Sequence, residues 1–326
     1  MYEVWKEQLE GFGYEQIVMK NEHQEIRILP EAGFNVWYWH YEGQEILMKP
    51  VDITVIGTKY GIPILFPTPN RMRNGEYLWK GKTYQMTKRG ARVNIHGLVK
   101  DEPFTVTRLE GGETAVCEAK ISIAKGDDLY EGYPFPCTLS VTYELSDAGL
   151  HMDMRVVNEG TEEMPFGFAV HPYFSKRGDA TQVFMNAPVK RAYVADAGLL
   201  PSGEIRELEE EKRADRGWHS IDSLYLDTVF RGMTEDLESE VRWKDLSVYV
   251  GASDCYRNIV IYTPHDRPGF CIEPQTCSTD AINLYAKGYL DESGLLILQP
   301  GAEFRSWVNY RVEKHEKTAC DTIPSI

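Results

Sequence analysis

Apolar and polar residues alternate with a period of two along much of this chain, and this period predicts β-strands buried on one face. Residues 150–157 show it plainly, because apolar side chains occupy the even positions while His151, Asp153 and Arg155 lie between them. Helical periodicity is nearly absent. Further short runs predict strands at Glu25–Leu29, Phe34–Tyr41, Gln44–Met48, Thr105–Leu109, Thr114–Ile121, Thr138–Glu144, Gln182–Met185, Leu246–Val250, Asn258–Tyr262 and Phe304–Val312.

Gly, Pro and Asn residues interrupt these runs every 8–12 residues or so, roughly the spacing typical of an all-β sandwich or barrel. Residues 158–161 are such a turn, and Pro165–Phe174 is predicted to return from it as the second strand of a hairpin. The charged run Ile205–Lys212 is interpreted as a loop or short surface helix. We predict an all-β fold, a large antiparallel β-sandwich, in a single domain over residues 1–326, with a frayed tail from about residue 314 to residue 326.

Composition limits the kinds of partner. The 326-residue chain is 42% hydrophobic and has a formal net charge of −15, which repels nucleic acid and anionic membranes. No apolar run approaches the ~20 residues that span a bilayer, and the start of the chain does not resemble a signal peptide. Six dispersed cysteines are typical of reduced thiols. A cytoplasmic protein with a neutral small-molecule partner is predicted, and both a monomer and a homodimer remain open.

Two titratable residues stand at the ends of predicted apolar strands. His171 ends the run that begins at Phe166, and Pro172 follows it at once. Glu273 also follows an apolar strand and directly precedes Pro274. A histidine in this position can donate a proton near neutral pH, or it can be a packed residue bonded to a backbone carbonyl. Because a strand carboxylate is costly to desolvate, Glu273 is either paired or lies in a cleft with a raised proton affinity.

Two further polar residues follow segments that restrict the backbone. Arg71 follows residues 61–70, whose three prolines can hold a guanidinium group in place to recognise hydroxyls or carboxylates. A surface ion pair is the alternative for Arg71. His96 precedes Gly97, where the backbone can turn or be approached closely. Neither feature identifies a function by itself.

Several short motifs, taken in order along the chain, resemble the aldose 1-epimerase (galactose mutarotase) family. They are Asn70-Arg71, Gly75–Tyr84, Asn94-Ile-His96-Gly97, His171-Pro-Tyr-Phe174, Leu226-Asp227, Glu273-Pro-Gln275 and Asp280-Ala-Ile-Asn283. The ending Ile297–Gly301 before an aromatic strand is similar too. The resemblance covers the chain from about Phe34 to Val312, and the order and spacing of the motifs match as well as their residues.

The resemblance implies a β-supersandwich with an open concave face that binds sugars, and an enzyme that interconverts the α and β anomers of free aldoses. By motif position, Glu273 is similar to the family's general base and His171 to its general acid. His96 is similar to the second active-site histidine, which bonds the sugar near its ring oxygen. The residues at positions expected to bind the substrate are Arg71, Asp227, Asn70 and Tyr173.

This chemistry needs one base and one acid at the same carbon. Ring opening removes the proton of the C1 hydroxyl while the ring oxygen is protonated, and a carboxylate with an imidazolium can do this at neutral pH without a cofactor. Two histidines and a glutamate also suggest zinc. However, the chain has no His-x-x-His or His-Glu-x-x-His spacing, so no metal site is predicted. Cys271 is assigned to the core of its strand.

Two positions depart from the family's pattern. Leu98 follows Gly97 where many galactose mutarotases have a second glycine, and Val260 stands where a glutamine is common. The lost polar contact puts a preference for galactose in doubt. One alternative is a hexose-6-phosphate epimerase, which would need a cationic cluster for the phosphate. The candidate residues for that cluster are Arg71, Arg73, Lys88 and Arg89.

A non-catalytic carbohydrate-binding protein is the other alternative. The presence of both His171 and Glu273 disfavours it, since binding alone needs no matched acid and base. The epimerase hypothesis predicts that His96 joins these two residues in one open cleft, with Arg71 and Asp227 at its edges. It also predicts that a pyranose ring fits between His171 and Glu273.

Overall fold

A computed structural model describes residues 1–11, 13–50, 59–209 and 217–315, and β-strands dominate them. These residues form 28 strands, three short α-helices and three 3-10 turns, which confirms the prediction of an all-β fold. The helices are α1 (Asp128–Gly132), α2 (Ala281–Ala286) and α3 (Leu290–Ser293). The 3-10 turns are Arg73–Gly75, Ala180–Gln182 and Ile221–Ser223.

The strands range in length from two to twelve residues. The first fourteen are β1 (Glu3–Gln8), β2 (Glu15–Lys20), β3 (Gln24–Leu29), β4 (Asn35–Tyr41), β5 (Gln44–Glu45), β6 (Ile64–Leu65), β7 (Glu76–Trp79), β8 (Lys82–Gln85), β9 (Thr87–Lys88), β10 (Ala91–Arg92), β11 (Thr105–Glu110), β12 (Ala115–Ile123), β13 (Cys137–Ser146) and β14 (Gly149–Asn158). The others are β15 (Met164–Phe166), β16 (Ala169–Val170), β17 (Tyr173–Ser175), β18 (Phe184–Asn186), β19 (Arg191–Ala195), β20 (Pro201–Glu207), β21 (His219–Ser220), β22 (Asp227–Arg231), β23 (Ser239–Arg242), β24 (Leu246–Ala252), β25 (Asn258–Tyr262), β26 (Gly269–Gln275), β27 (Leu296–Leu298) and β28 (Glu303–Lys314).

Most of these strands belong to three antiparallel sheets. A five-stranded sheet follows chain order from β1 to β5, and a nine-stranded sheet has the order β11-β12-β13-β14-β28-β24-β23-β18-β21. An eight-stranded sheet has the order β20-β19-β22-β25-β26-β16-β6, and its eighth strand, β17, also pairs with β26. Two-stranded sheets form from β7 and β8, β9 and β10, and β15 and β27. The strand β26, which carries Glu273, is therefore central to its sheet.

The main hydrophobic core joins the nine-stranded sheet to the other two large sheets. Tyr310 of β28 illustrates the packing. Its ring centroid lies 6.1 Å from that of Trp39 on β4 and 6.5 Å from that of Phe174 on β17.

The face of each side chain on β26 follows from the alternation of a β-strand. Phe270 and Ile272 point into the main core. Cys271 and Glu273 therefore point to the opposite face of the eight-stranded sheet. The candidate site lies on that face, away from the nine-stranded sheet.

The hairpin predicted between residues 150–157 and Pro165–Phe174 is wrong. The strand β14 pairs with β13 and β28, and Pro165–Phe174 is divided among β15, β16 and β17. The run is interrupted at Gly167, whose backbone N–H is donated to the carbonyl of Pro67 at 2.7 Å. Glycine is required there because a Cβ atom would lie only 2.2 Å from the Cys277 sulfur. Pro172 interrupts it again because proline has no N–H for a ladder hydrogen bond.

Two smaller predictions also need correction. Residues 205–207 belong to β20 rather than to a loop or helix, and residues 210–212 lie outside the described residues. The frayed tail does not begin at residue 314, because Lys314 pairs with Leu246 in the nine-stranded sheet. His315 donates its backbone N–H to the carbonyl of Asp245 at 2.9 Å. The rest of the predicted tail, residues 316–326, lies outside the described residues.

Candidate active site

His171 and Glu273 face each other across two antiparallel segments. The pairing of β16 and β17 with β26 keeps one register, and this register places His171 directly opposite Glu273. The His171 Nε2 atom lies 3.3 Å from the Glu273 Oε1 atom. An imidazole and a carboxyl group 102 positions apart in the chain are thus brought into contact by strand register.

The prolines beside these residues explain why the sheet opens at this point. Pro172 and Pro274 each remove an N–H from the ladder next to the pair. The backbone N–H of His171 is donated instead to the carbonyl of Pro63 at 3.0 Å. The sequence places His171 and Glu273 at the ends of strands. In the structure they lie instead where the pairing of the central strand β26 with β16 and β17 is interrupted.

The contact between His171 and Glu273 contradicts the predicted space for a pyranose ring between them. At 3.3 Å only a shared proton fits between the two groups. Both residues are also buried, with exposed fractions of 5% for His171 and 2% for Glu273. A molecule the size of a pyranose ring therefore cannot enter between the two groups, and could approach them only from beside the pair.

Burial disfavours the charged form of both groups. It raises the pKa of the Glu273 carboxyl well above its usual range. It lowers the pKa of His171 to about 3. The sequence predicts a carboxylate on Glu273 and an imidazolium on His171 at neutral pH. Moving one proton from His171 to Glu273 gives a neutral pair, and burial favours this neutral form.

His96 lies edge-on to His171, with ring centroids 5.2 Å apart and planes at 78°. Its backbone is held at a φ of 65°, a strained value for a residue with a side chain, while its N–H is donated to the Asn70 carbonyl at 2.8 Å. Gly97 packs so closely that a Cβ atom would lie 2.4 Å from the Phe66 carbonyl oxygen. His96 is half-buried as a residue, and its Nδ1 atom is buried. Burial lowers the pKa of His96 well below its usual range. The structure thus places His96 beside the pair, as predicted.

Arg71 and Asp227 form an ion pair at the more exposed edge of the site. The Nη2 and Oδ2 atoms lie 3.2 Å apart, and about a third of each side chain is exposed. Asn70 is buried, and its Oδ1 accepts hydrogen bonds from the backbone N–H and the Nη1 of Arg71, at 2.7 and 3.3 Å. The structure brings the predicted binding residues together, with Asn70 acting on Arg71.

Tyr173 and Cys271 form the wall behind the pair. The Tyr173 ring is buried and stacks on the His171 ring, with centroids 4.6 Å apart and planes at 8°. This position fixes the plane of the imidazole. Cys271 is fully buried, but its side chain lies on the same face as Glu273 rather than in the main core.

Sequence reasoning missed three residues that surround the site. Gln275 donates from Nε2 to Glu273 Oε2 at 3.5 Å, and its place two residues after Glu273 on one strand was the available signal. Trp37 and Tyr262 pack against the cluster that contains Cys271. The sequence places Trp37 only within the predicted strand Phe34–Tyr41, because its position next to the site depends on the pairing of distant strands.

A family model described as aldose 1-epimerase matches residues 15–311 of this chain. The chain belongs to the aldose 1-epimerase family. A curated relative, the uncharacterised protein YihR of Escherichia coli, is 23% identical over 254 residues, which are 76% of this chain and 77% of YihR.

Two solved structures of other proteins have a similar fold. A galactose mutarotase-like protein from Clostridium acetobutylicum is 24% identical with a TM-score of 0.85, over 96% of this chain and 98% of the other. A galactose 1-epimerase from Lactobacillus acidophilus is 16% identical with a TM-score of 0.77, over 97% and 99% of the two chains. The galactose mutarotase-like fold expected from the sequence is thus confirmed.

The cations suggested for phosphate binding in this aldose 1-epimerase homologue already have acidic partners. The pairs are Arg71 with Asp227, Arg73 with Asp196, Lys88 with Asp101 and Glu102, and Arg89 with Glu102. Of the four, only Lys88 and Arg89 share an acidic partner, Glu102. The cationic cluster that a hexose-6-phosphate epimerase would need is therefore not formed by these four candidates free of acidic partners.

A cavity of about 530 Å³ begins at the Arg71–Asp227 ion pair and extends away from His171. Its walls include Tyr193, Leu199 and Tyr225. The strand β22 pairs with β19 only through its last two residues, so the space opens where these strands diverge. His171 and Glu273 are not among the residues that line this cavity.

A helix that crosses a membrane must be long and apolar, and the described part of the chain contains no such helix.

Proposed function

We propose that this protein is an aldose 1-epimerase that interconverts the α and β anomers of a free aldohexose by acid–base opening and closure of the ring. The His171–Glu273 contact at 3.3 Å is the observation that supports this most directly. Membership of the aldose 1-epimerase family supports the same reaction class.

The close spacing of the pair suits the reaction better than the wide spacing expected from the sequence. The hydroxyl oxygen and the ring oxygen that exchange protons are both bonded to C1. An acid and a base that lie side by side can therefore reach both oxygens at once. After the ring opens, rotation about the C1–C2 bond and closure on the other face of the aldehyde give the other anomer, with the proton transfers reversed.

The roles proposed for the pair are those of the family, with Glu273 as base and His171 as acid. These roles require the shared proton to lie on His171, whereas burial favours its place on Glu273. The two forms differ only by a transfer across the 3.3 Å contact. Sugar hydroxyls that donate hydrogen bonds to the Glu273 carboxylate would favour the charged form of the pair. Binding of the substrate would thereby place the proton on His171, where the proposed reaction needs it.

The other predicted residues hold the sugar. In this proposal Arg71 and Asp227 bind hydroxyl groups distant from C1, while His96 bonds near the ring oxygen. Val260 is paired in register with Glu273 and supplies an apolar surface where a glutamine is common in galactose mutarotases. We therefore expect no strong preference for galactose over glucose.

The catalytic rate is expected to be level across the ordinary titration range of histidine. The pair keeps one proton until pH falls towards about 3, where His171 gains a second, or rises through the raised pKa of Glu273. We expect kcat/KM, corrected for uncatalysed mutarotation, to vary less than about twofold between pH 5 and pH 7. An inflection near 6.5, the usual pKa of histidine, would show instead that His171 titrates as an ordinary exposed histidine.

A hexose-6-phosphate epimerase is the second candidate, and one residue favours it. Arg267, in the turn between β25 and β26, has no ion-pair partner among the described residues. Its charge is close enough to His171 to help lower the pKa of that ring. An anionic substituent on the sugar would find this guanidinium near the acid–base pair.

Salt dependence separates the two candidates. A neutral sugar bound by hydrogen bonds should have a Kd that changes less than about twofold between low salt and about 0.5 M NaCl. A phosphosugar should bind several-fold more weakly at the higher salt, because salt screens exposed charge pairing. Calorimetric titrations with glucose and glucose 6-phosphate test this. Tighter binding of the phosphosugar with steep salt dependence would contradict our first choice.

A further inference from the structure

Three donor atoms of the kinds that bind zinc converge at the acid–base pair, although no metal-type spacing connects them along the chain. A ring nitrogen of His171, the sulfur of Cys271 and a carboxyl oxygen of Glu273 all lie within 4.8 Å of one another. From this geometry we infer that the protein binds one Zn²⁺ ion at His171, Cys271 and Glu273, and that the ion reversibly blocks the site.

The fold fixes these donors by strand geometry. Cys271 and Glu273 are two residues apart on β26, so both side chains point to the same face. His171 meets them from the facing segment in the same register. All three residues are buried, so little side-chain entropy remains to be lost when a metal binds.

The distances are close to those of a zinc site. Bonds from zinc to nitrogen, oxygen and sulfur are about 2.0–2.3 Å, so tetrahedral ligands lie about 3.3–3.8 Å from one another. The His171–Glu273 distance of 3.3 Å is already in that range. The other separations, at most 4.8 Å, need to shorten by about 1 Å. Three protein ligands leave the fourth position for water, as in zinc sites with an open coordination position.

Charge balance also favours a divalent ion. Burial raises the pKa of the Cys271 thiol and of the Glu273 carboxyl, which favours the protonated form of each. If Zn²⁺ displaces both protons, two anionic ligands neutralise the ion and the buried cluster has no net charge. Thiolate and imidazole ligands favour Zn²⁺ over Mg²⁺ or Ca²⁺.

The bound ion would occupy the lone pairs that transfer protons in the proposed reaction. Inhibition by zinc therefore depends on the proposed function, whereas zinc binding does not. Direct binding measurements can thus fail or succeed whether or not the protein turns over any sugar.

The test uses the full chain, titrated with Zn²⁺ by calorimetry and with Co²⁺ by absorption spectroscopy. We expect one ion per chain and, for Co²⁺, a thiolate-to-metal charge-transfer band. Cys271→Ser should remove that band and weaken Zn²⁺ binding more than about tenfold. Cys255→Ser is the matched control, because Cys255 is the more exposed thiol and should leave both readouts unchanged.

Two further measurements keep the test decisive if Cys271→Ser does not fold. Glu273→Gln should also weaken Zn²⁺ binding, and zinc binding to the unaltered protein should release about two protons per ion. Absence of binding to the unaltered protein would overturn the proposal. So would a charge-transfer band that is lost in Cys255→Ser or kept in a folded Cys271→Ser. With a sugar that turns over, saturating Zn²⁺ should abolish activity and a chelator should restore it.

Discussion

Glu273→Gln is expected to lower the anomerisation rate by about 10²–10⁴-fold while equilibrium sugar binding survives. Glutamine keeps the size of the side chain and can still hydrogen bond to Gln275 and to the sugar. It cannot accept the proton of the C1 hydroxyl. Anomerisation rates from NMR, measured beside sugar binding by calorimetry, separate the two effects.

The matched control is Glu110→Gln, which makes the same change at an exposed position on the edge strand β11. It should leave the rate within about twofold of the unaltered protein. A nearly normal rate for Glu273→Gln would show that Glu273 is not the base. The carbohydrate-binding protein without turnover would then be the better account.

Glu273→Gln should also change how stability depends on pH. A carboxyl whose pKa is raised in the folded state contributes its full stability below the unfolded pKa of about 4.5, and this contribution is lost as pH rises towards the folded value. Glutamine does not titrate. We therefore expect the Tm of the variant, relative to the unaltered protein, to increase between about pH 5 and pH 8.

His171→Asn is expected to cause a loss of similar size, about 10²–10⁴-fold, because asparagine cannot supply the proton that the ring oxygen takes up in the proposed reaction. His96 is the nearest other imidazole, but its ring centroid is 5.2 Å from that of His171. Sugar binding should survive, since the proposed hydroxyl contacts lie at Arg71 and Asp227. The rate and binding measurements used for Glu273 test this variant too.

Combining His171→Asn with Glu273→Gln tests whether the two residues act as one unit. We expect the double variant to be about as slow as the slower single variant, because either change stops the same proton relay. Losses that multiply would indicate that the two groups act independently. That result would argue against a shared proton across the contact.

The sequence could single out His171 and Glu273 as candidates because their signals are local. An apolar run that ends at His171-Pro172 and another that ends at Glu273-Pro274 can be recognised without knowledge of the fold. The alternation of apolar and polar positions in residues 150–157 likewise identifies β14. Such patterns fix the type of an element and the face of each side chain.

The sequence could not predict how these pieces meet, because strand pairing is a long-range property. The alternation along β14 is compatible with any neighbouring strand, so it predicts no particular partner. The observed partners are β13 and β28, and not the run that follows β14 in the chain. The contact between His171 and Glu273 depends on the register of β26 with two short segments. The same register brings Cys271 close to His171 and Glu273. Motifs for metal sites are defined by the spacing of ligands along the chain, so they do not detect ligands that meet through strand pairing.

The most direct test of the proposed function is the approach of a freshly dissolved pure anomer to equilibrium. Polarimetry or NMR would follow α-glucose, α-galactose and α-glucose 6-phosphate, each with the unaltered protein, with Glu273→Gln and without protein. The account predicts faster equilibration of at least one neutral sugar with the unaltered protein, and a rate near the uncatalysed one with Glu273→Gln. Unchanged equilibration of both neutral sugars, by a folded protein that binds them, would contradict it.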